Sequence, residues 1–292
     1  MIENPSLETA TSGSIRFNTD SSKLEIYNGE AWFEIDATSP ELQTGGTRGV
    51  IMGGPSAGHP NGDNVMQFIT ISSTGNSTDF GDLTREKYAS YGGIASRTRG
   101  IMVGGFYYPG SSGTYTDEMD AITISIQSNA FDFGNLSQGN RAEPGSASNE
   151  TRGIVFAGRS GPSPLVYTNT ITYCTIASQS DTIAFGDMSG GFFQNPTGTA
   201  SKTRLVMGTG EASPGSSAYN SLEYITISTL GNGADFGDTS VTASYRNAAG
   251  NAVRGLIAGG YSPNSDNTIE FITIATLGNA KEFGDLNNAV GG

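Results

Sequence analysis

The side chains of this chain that could carry chemistry are few, and most of them recur at a fixed period. Phe-Gly-Asp or Phe-Gly-Asn stands at Phe80, Phe133, Phe185, Phe236 and Phe283. These copies evoke the magnesium-binding Asp-Phe-Gly of protein kinases, but that motif works only alongside a glycine-rich nucleotide loop and a catalytic loop, and this sequence carries neither. Five copies at strand ends read instead as structural turns. Phe fills the space between units while Asp82, Asp187, Asp238 and Asp285 bond local backbone N–H groups. An arginine repeats too, at Arg48, Arg99, Arg152, Arg204 and Arg254. These charges could ring a channel and bind an anion, but one per unit fits a lattice of ion pairs with the repeated acids.

The non-repeated candidates are weaker. A single histidine, His59, excludes paired-histidine metal sites, and a single cysteine, Cys174, allows no internal disulfide. Cys174 takes the place held in other copies by Ile69, Ile122, Ile225 and Ile272, so it reads as a small buried hydrophobe. His59 falls in a solvated Gly/Pro-rich loop, Pro55–Asp63, where Asn61-Gly62-Asp63-Asn64 lacks the ligand pattern of an EF-hand. No carboxylate pair stands out. No catalytic residue, metal or cofactor is assigned, and an enzyme is not the expectation.

The loops are more suggestive. Tyr107, Tyr108, Tyr115, Tyr167, Tyr219 and Tyr261 lie in variable Gly/Ser/Pro-rich segments. Ordinary loop composition would account for the Gly and Ser, but Tyr offers contact area at low entropy cost and stacks on sugar rings.

Composition bounds the fold. The 292 residues include 42 Gly, about twice the usual share, while charged residues make up only 15%. That describes a folded, turn-rich, all-β chain. With 15 Lys+Arg against 28 Asp+Glu the net charge is −13, the wrong field for nucleic acid or an anionic membrane. Met1-Ile2-Glu3-Asn4-Pro5 has neither a basic start nor an apolar run, and nothing approaches a membrane helix of about 18 apolar residues. The expectation is a soluble chain made in the cytoplasm, with no membrane insertion.

The elements that position these residues are five copies of one unit. TRGVIMGG, TRGIMVGG, TRGIVFAG, TRLVMGTG and VRGLIAGG begin near 47, 98, 151, 203 and 253, with the arginines 51, 53, 52 and 50 residues apart. An alternating run follows, around Thr70, Thr123, Thr175, Thr226 and Thr273, and each repeated Phe comes ten residues after that Thr. The Arg-to-Thr distance varies, at 22, 24, 23, 22 and 19. The constant half is two paired strands with their turn; the elastic half holds a surface loop. Segments between units, such as Tyr88–Ala95, supply a further strand. Four short antiparallel strands in about 50 residues cannot bury both faces alone, so the units pack face to face around an axis as a β-propeller.

The order of these segments resembles the kelch repeat over about residues 47–292, although the kelch Tyr is missing from the Gly-pair strand and Phe stands where Trp is usual. The resemblance implies a five-bladed kelch-like propeller over 39–292, with a six-bladed ring as the alternative if the N-terminal segment supplies most of another blade. In the five-bladed version the first blade's missing strand comes from Ser39–Thr47.

Residues 1–38 form a short β-hairpin module: apolar pairs in three short strands, with a turn at Asn28-Gly29. Gly13-Ser14-Ile15-Arg16-Phe17-Asn18-Thr19, Tyr27-Asn28-Gly29 and Trp32 resemble a module of tailed-bacteriophage tail-fibre and other virion proteins, with Phe17 in place of the usual Tyr. With the glycine-rich repeats, the whole resembles structural proteins of marine phages, particularly cyanophages. The resemblance implies a virion protein that docks to other virion proteins through the module, is a homo-oligomer in the particle, and attaches to a host-surface glycan or protein. Capsid or tail decoration, a cytoplasmic propeller adaptor for protein partners, and a glycan-cleaving propeller enzyme are the alternatives.

Overall fold

The computed structural model describes residues 10–18, 23–34, 46–56, 59–88, 92–108, 113–137, 143–160, 166–190, 195–211, 218–261 and 264–290. These residues are all-β, with no helix among them. The chain divides into two compact units, Met1–Glu41 and Leu42–Gly292.

The first unit is a three-stranded antiparallel sheet of β1 (Ile15–Asn18), β2 (Lys23–Tyr27) and β3 (Trp32–Glu34). The Asn28-Gly29 turn forms as expected: Asn28 Oδ1 accepts from the N–H groups of Glu30 and Ala31, both at 2.8 Å, and Gly29 takes φ +105°. Alternation splits the faces unusually. One carries a polar network in which Arg16 meets Glu25 at 2.7 Å and lies 4.3 Å over the Trp32 ring. Hydrogen bonds from Asn18 and then Arg16 hold the Glu25 carboxyl below the ordinary carboxylate range. The other face presents Ile15, Phe17, Leu24, Ile26 and Phe33 to solvent.

The second body is a series of five antiparallel sheets, one per sequence repeat. Unit 1 has β4 (Arg48–Ser56), β5 (His59–Thr70) and β6 (Thr78–Lys87). Unit 2 has β7 (Gly92–Ala95), β8 (Arg99–Tyr107), β9 (Thr114–Thr123) and β10 (Phe131–Asn135). In unit 3, β11 (Gly145–Ser148) and β12 (Arg152–Phe156) precede a ribbon of β13 (Arg159–Ser160) and β14 (Val166–Tyr167). The unit's sheet is completed by β15 (Thr170–Thr175) and β16 (Ile183–Asp187). Unit 4 has β17 (Thr197–Ala200), β18 (Arg204–Glu211), β19 (Ala218–Thr226) and β20 (Ala234–Asp238). Unit 5 has β21 (Asn247–Gly250), β22 (Arg254–Ala258), β23 (Asp266–Thr273) and β24 (Lys281–Val290). Each is a meander whose first strands, β7, β11, β17 and β21, stack on one another. Most of Ser39–Thr47, expected as unit 1's first strand, lies outside the described residues.

The core sits between units. In units 2 to 4 the second strand is apolar on both faces because each face meets a different neighbour. Thus Ile101 and Val103 pack toward unit 3 while Met102 packs toward unit 1. Phe80, Phe133, Phe185 and Phe236 are at most 4% exposed, each in the cluster formed with the following unit. Cys174 is buried at the junction of units 2 and 3, as expected, and burial pushes its thiol up to about 11, partly offset by the Gly153 N–H.

Polar connectors repeat with the apolar ones. The Asp82 N–H donates to Asn129 Oδ1 at 3.1 Å, and the Ala130 N–H returns a bond to the Asp82 carbonyl at 2.8 Å. Asn135 with Asp181, Asp187 with Asn232, and Asp238 with Asn279 repeat this latch. It is therefore the main chain of the Phe-Gly-Asp residues that is engaged across the junction, in place of the local carboxylate bonds expected. The intervening glycine is required there. At Gly81 and Gly134, with φ +139° and +138°, a Cβ would lie 2.5 and 2.6 Å from backbone of the next unit's turn.

The repeated arginines also correct an expectation. None enters an ion pair among the described residues. Arg48, Arg99, Arg152 and Arg204 donate from Nη1 to the carbonyls of Ile124, Ile176, Ile227 and Ile274 in the next unit, at 2.9, 2.7, 2.6 and 3.0 Å. Each stacks over an aromatic ring of its own unit, as Arg152 does over Tyr173 at 4.6 Å. The arginine stands where the neighbouring third strand ends and leaves a carbonyl free, out of reach of the acids.

Unit 5 breaks the pattern. Phe283 is 54% exposed, Gly284 faces open space, and the Arg254 guanidinium lies over Phe271 of its own unit at 4.3 Å with no next-unit carbonyl among the described residues. Unit 1 leaves Ile69 and Ile71 bare, the latter 62% exposed. The closure of unit 5 on unit 1 that a five-bladed ring needs is thus not made among the described residues. The N-terminal segment forms a separate three-stranded sheet of its own, β1–β3.

Two outcomes check this packing. Phe133→Ala should cost about 3–5 kcal/mol in denaturant unfolding, whereas Phe283→Ala in dilute solution should cost less than about 1 kcal/mol, as for an exposed site. Equal losses would contradict the asymmetry. Cys174 should stay unreactive toward Ellman's reagent in the native protein and react on unfolding; fast native labelling would contradict its burial.

Candidate ligand-binding site

Each second strand ends in a bulge where the chain takes a left-handed turn. Gly53, Gly104 and Gly259 supply φ of +58°, +60° and +63°, but units 3 and 4 put Ala157 (+54°) and Thr209 (+53°) there. The segments entering the first strands are strained likewise, with Glu143 at +56°, Asn195 at +52° and Tyr245 at +56°. Non-glycine residues in this region cost about 1–3 kcal/mol each, and such strain gathers at functional sites. The bulges and entering segments share one end of the sheets: Tyr88 pairs with Phe106, and the Gly210 N–H reaches the Ala243 carbonyl at 3.5 Å.

Polar side chains converge there. Arg159, on β13, donates from Nη2 to Glu143 Oε1 at 2.6 Å, and the Asn195 N–H reaches the Glu143 carbonyl at 3.4 Å. Glu211, ending β18, is buried nearby. Burial raises the Glu143 carboxyl above its ordinary range; Arg159 opposes this and Glu211 adds to it. Burial likewise raises the Tyr115 and Tyr167 phenols, and both feel the Arg159 and Glu143 charges. Several buried atoms of the cluster have no protein partner: Glu143 Oε2, Arg159 Nε, the Tyr167 hydroxyl, both polar atoms of the Asn195 amide and Thr209 Oγ1. Buried polar groups without partners are rare and costly. Asn195 also lines a cleft of about 220 Å³ along the first strands of units 3, 4 and 5, beside Ser146, Thr197, Tyr245 and Arg246.

The six tyrosines divide. Tyr108 and Tyr115 pack edge-on against Phe106, at 5.1 and 4.8 Å, and Tyr167 pairs with Arg159 across the ribbon, so these three border the cluster. Tyr107 instead lies under Arg85, 4.6 Å from its guanidinium. Tyr219 pairs with Gly210 and Tyr261 with Ser244 and Ser265, both rings largely exposed. The loop tips at 109–112, 161–165, 212–217 and 262–263 lie outside the described residues. His59, expected in an open loop, begins β5 opposite Ser56; its side chain is outside the described set.

Sequence reading missed Glu143, Arg159, Asn195, Thr209 and Glu211. The available signal was the polar residue before a proline at two strand entries, Glu143-Pro144 and Asn195-Pro196, together with the departures from Gly at Ala157 and Thr209. Among the described residues no group of His, Cys, Asp and Glu is arranged to hold a metal. The site can offer acceptors, donors and aromatic faces to one uncharged, hydroxyl-rich ligand.

No protein-family model matches the sequence, and no curated protein matches it.

A pH dependence follows from Glu143. Its raised pKa means that the native state holds this proton more tightly than the unfolded chain. Its contribution is full below the ordinary carboxylate value and is lost as pH rises through the folded one. Relative to Glu143→Gln, wild-type stability should therefore fall as pH rises above the ordinary carboxylate range, read from denaturant midpoints at several pH values. Parallel profiles would contradict it.

Proposed function

We propose that this is a tail-fibre-like structural protein of a bacteriophage virion, a binder and not an enzyme. Its five kelch-like blades present a glycan-binding site at the loop end. The observation carrying this reading is the set of buried, unpartnered donors and acceptors around Arg159 and Glu143, bordered by Tyr108, Tyr115 and Tyr167. Sugar hydroxyls satisfy both kinds of group at once, and tyrosine rings stack on the sugar's apolar face. Strained segments from units 3 and 4 fix the polar groups before any ligand arrives, which reduces the ordering cost of binding.

A propeller arrangement is supported by the cleft shared by the first strands of units 3, 4 and 5, as expected where successive strands turn about an axis. Docking to the particle is supported by the N-terminal module, whose bare apolar face of Ile15, Phe17, Leu24, Ile26 and Phe33 suits burial against other virion proteins. The same face serves equally well if the protein decorates a capsid or tail.

The test is binding of the full chain to an array of bacterial surface polysaccharides, followed by calorimetry on the best oligosaccharide. Arg159→Met and Tyr167→Phe should each weaken binding, the former about tenfold to a hundredfold, as for loss of a charged hydrogen bond. No binding across the array, or unchanged affinity in both variants, overturns the glycan reading. Absence of the protein's peptides from purified particles overturns the virion reading.

A further inference from the structure

The junction between successive units is directional. One side supplies the Arg guanidinium, the buried Phe, and the main chain of the Phe-Gly-Asp residues. The other supplies the third-strand carbonyl, its isoleucines, and the side-chain oxygen of the following turn. Four junctions inside the chain use both halves. The two ends carry one half each, unused: Arg254, Phe283 and Asp285 on unit 5, and Ile69, Ile71 and Asn76 on unit 1. Asn76 stands four residues before Phe80, the same offset as Asn129, Asn232 and Asn279 from their own phenylalanines. The latch that those asparagines make with the preceding unit is absent at Asn76 and at Asp285 among the described residues.

We infer that a second copy of this chain docks its unit 1 on unit 5 of the first, head to tail, through this same junction. Arg254 then donates to the Ile71 carbonyl of the second copy, Phe283 packs on its Ile69, and the Asp285 N–H meets its Asn76. The occupant follows from the chain's own interface: the two bare faces match each other part by part, each exposes large apolar side chains to water, and among the described residues no junction of this kind joins them within one chain. Two different patches meeting make a heterologous contact, which leaves a free end on every dimer and lets copies add in series. This inference does not depend on the ligand or on the virion assignment.

Light scattering and sedimentation across a wide range of protein concentration test it. Wild type should pass from monomer to dimer and longer species as concentration rises. Phe283→Asp and Ile71→Asp, both at exposed positions, should each leave the protein folded and monomeric. Mixed in equal amounts they should form dimers and nothing longer, because one partner retains an intact unit 1 face and the other an intact unit 5 face. A wild type that stays monomeric throughout, including one that closes unit 5 on its own unit 1, overturns the inference. So does a mixture that stays monomeric, or a single variant that associates like wild type.

Discussion

The repeat domain rests on one contact made four times: the turn after the third strand of a unit lies against the bare backbone of the preceding Phe-Gly. A sheet of three or four short strands has two apolar faces and too little of its own chain to cover either. Only a neighbour of the same shape can do so, and only if the two backbones come closer than a side chain would allow. Gly81, Gly134 and Gly237 make that approach possible. Once it is made, phenylalanine and isoleucine interlock, and the arginine finds a carbonyl in need of a donor. Fold, spacing and directionality all follow from that approach.

The other end of the sheets obeys different physics. Buried ion pairs tie the connections down there: Lys87 with Asp120 at 2.8 Å across units 1 and 2, and Arg246 with Glu270 at 2.6 Å within unit 5. Removing one partner of such a pair leaves an uncompensated buried charge, so these connections are fixed in place. The Arg159–Glu143 pair differs in that only one carboxylate oxygen is engaged and the surrounding amide, phenol and hydroxyl are left unmatched. In the two structural pairs both carboxylate oxygens are engaged, although Arg246 Nη2 is left over; around Glu143 more is left unmatched.

Much of this was legible in the sequence, and the limits are instructive. The strands, the units, the buried phenylalanines of units 1 to 4 and the buried Cys174 follow from periodicity, because a constant ten-residue offset admits few geometries. The N-terminal meander follows from Asn28-Gly29 and strict alternation. The partner of the repeated arginine was not legible: charge suggests a carboxylate, and only the packed structure shows a main-chain oxygen nearer. Phe283 misled for a related reason, since identical sequence implies identical burial only when a neighbour exists. Of the candidate site, the tyrosines were visible as a composition. Glu143, Arg159 and Asn195 were not, because their proximity arises from two different units and from backbone conformations that their residue types do not advertise.

The sameness of the junctions has a consequence for how such a chain can vary. Since unit 2 meets unit 3 through the same parts with which unit 4 meets unit 5, excising or duplicating one whole copy leaves every remaining seam matched. Length can therefore change in steps of about fifty residues by recombination between copies, whereas an insertion of any other size inside a seam would spoil two neighbours at once.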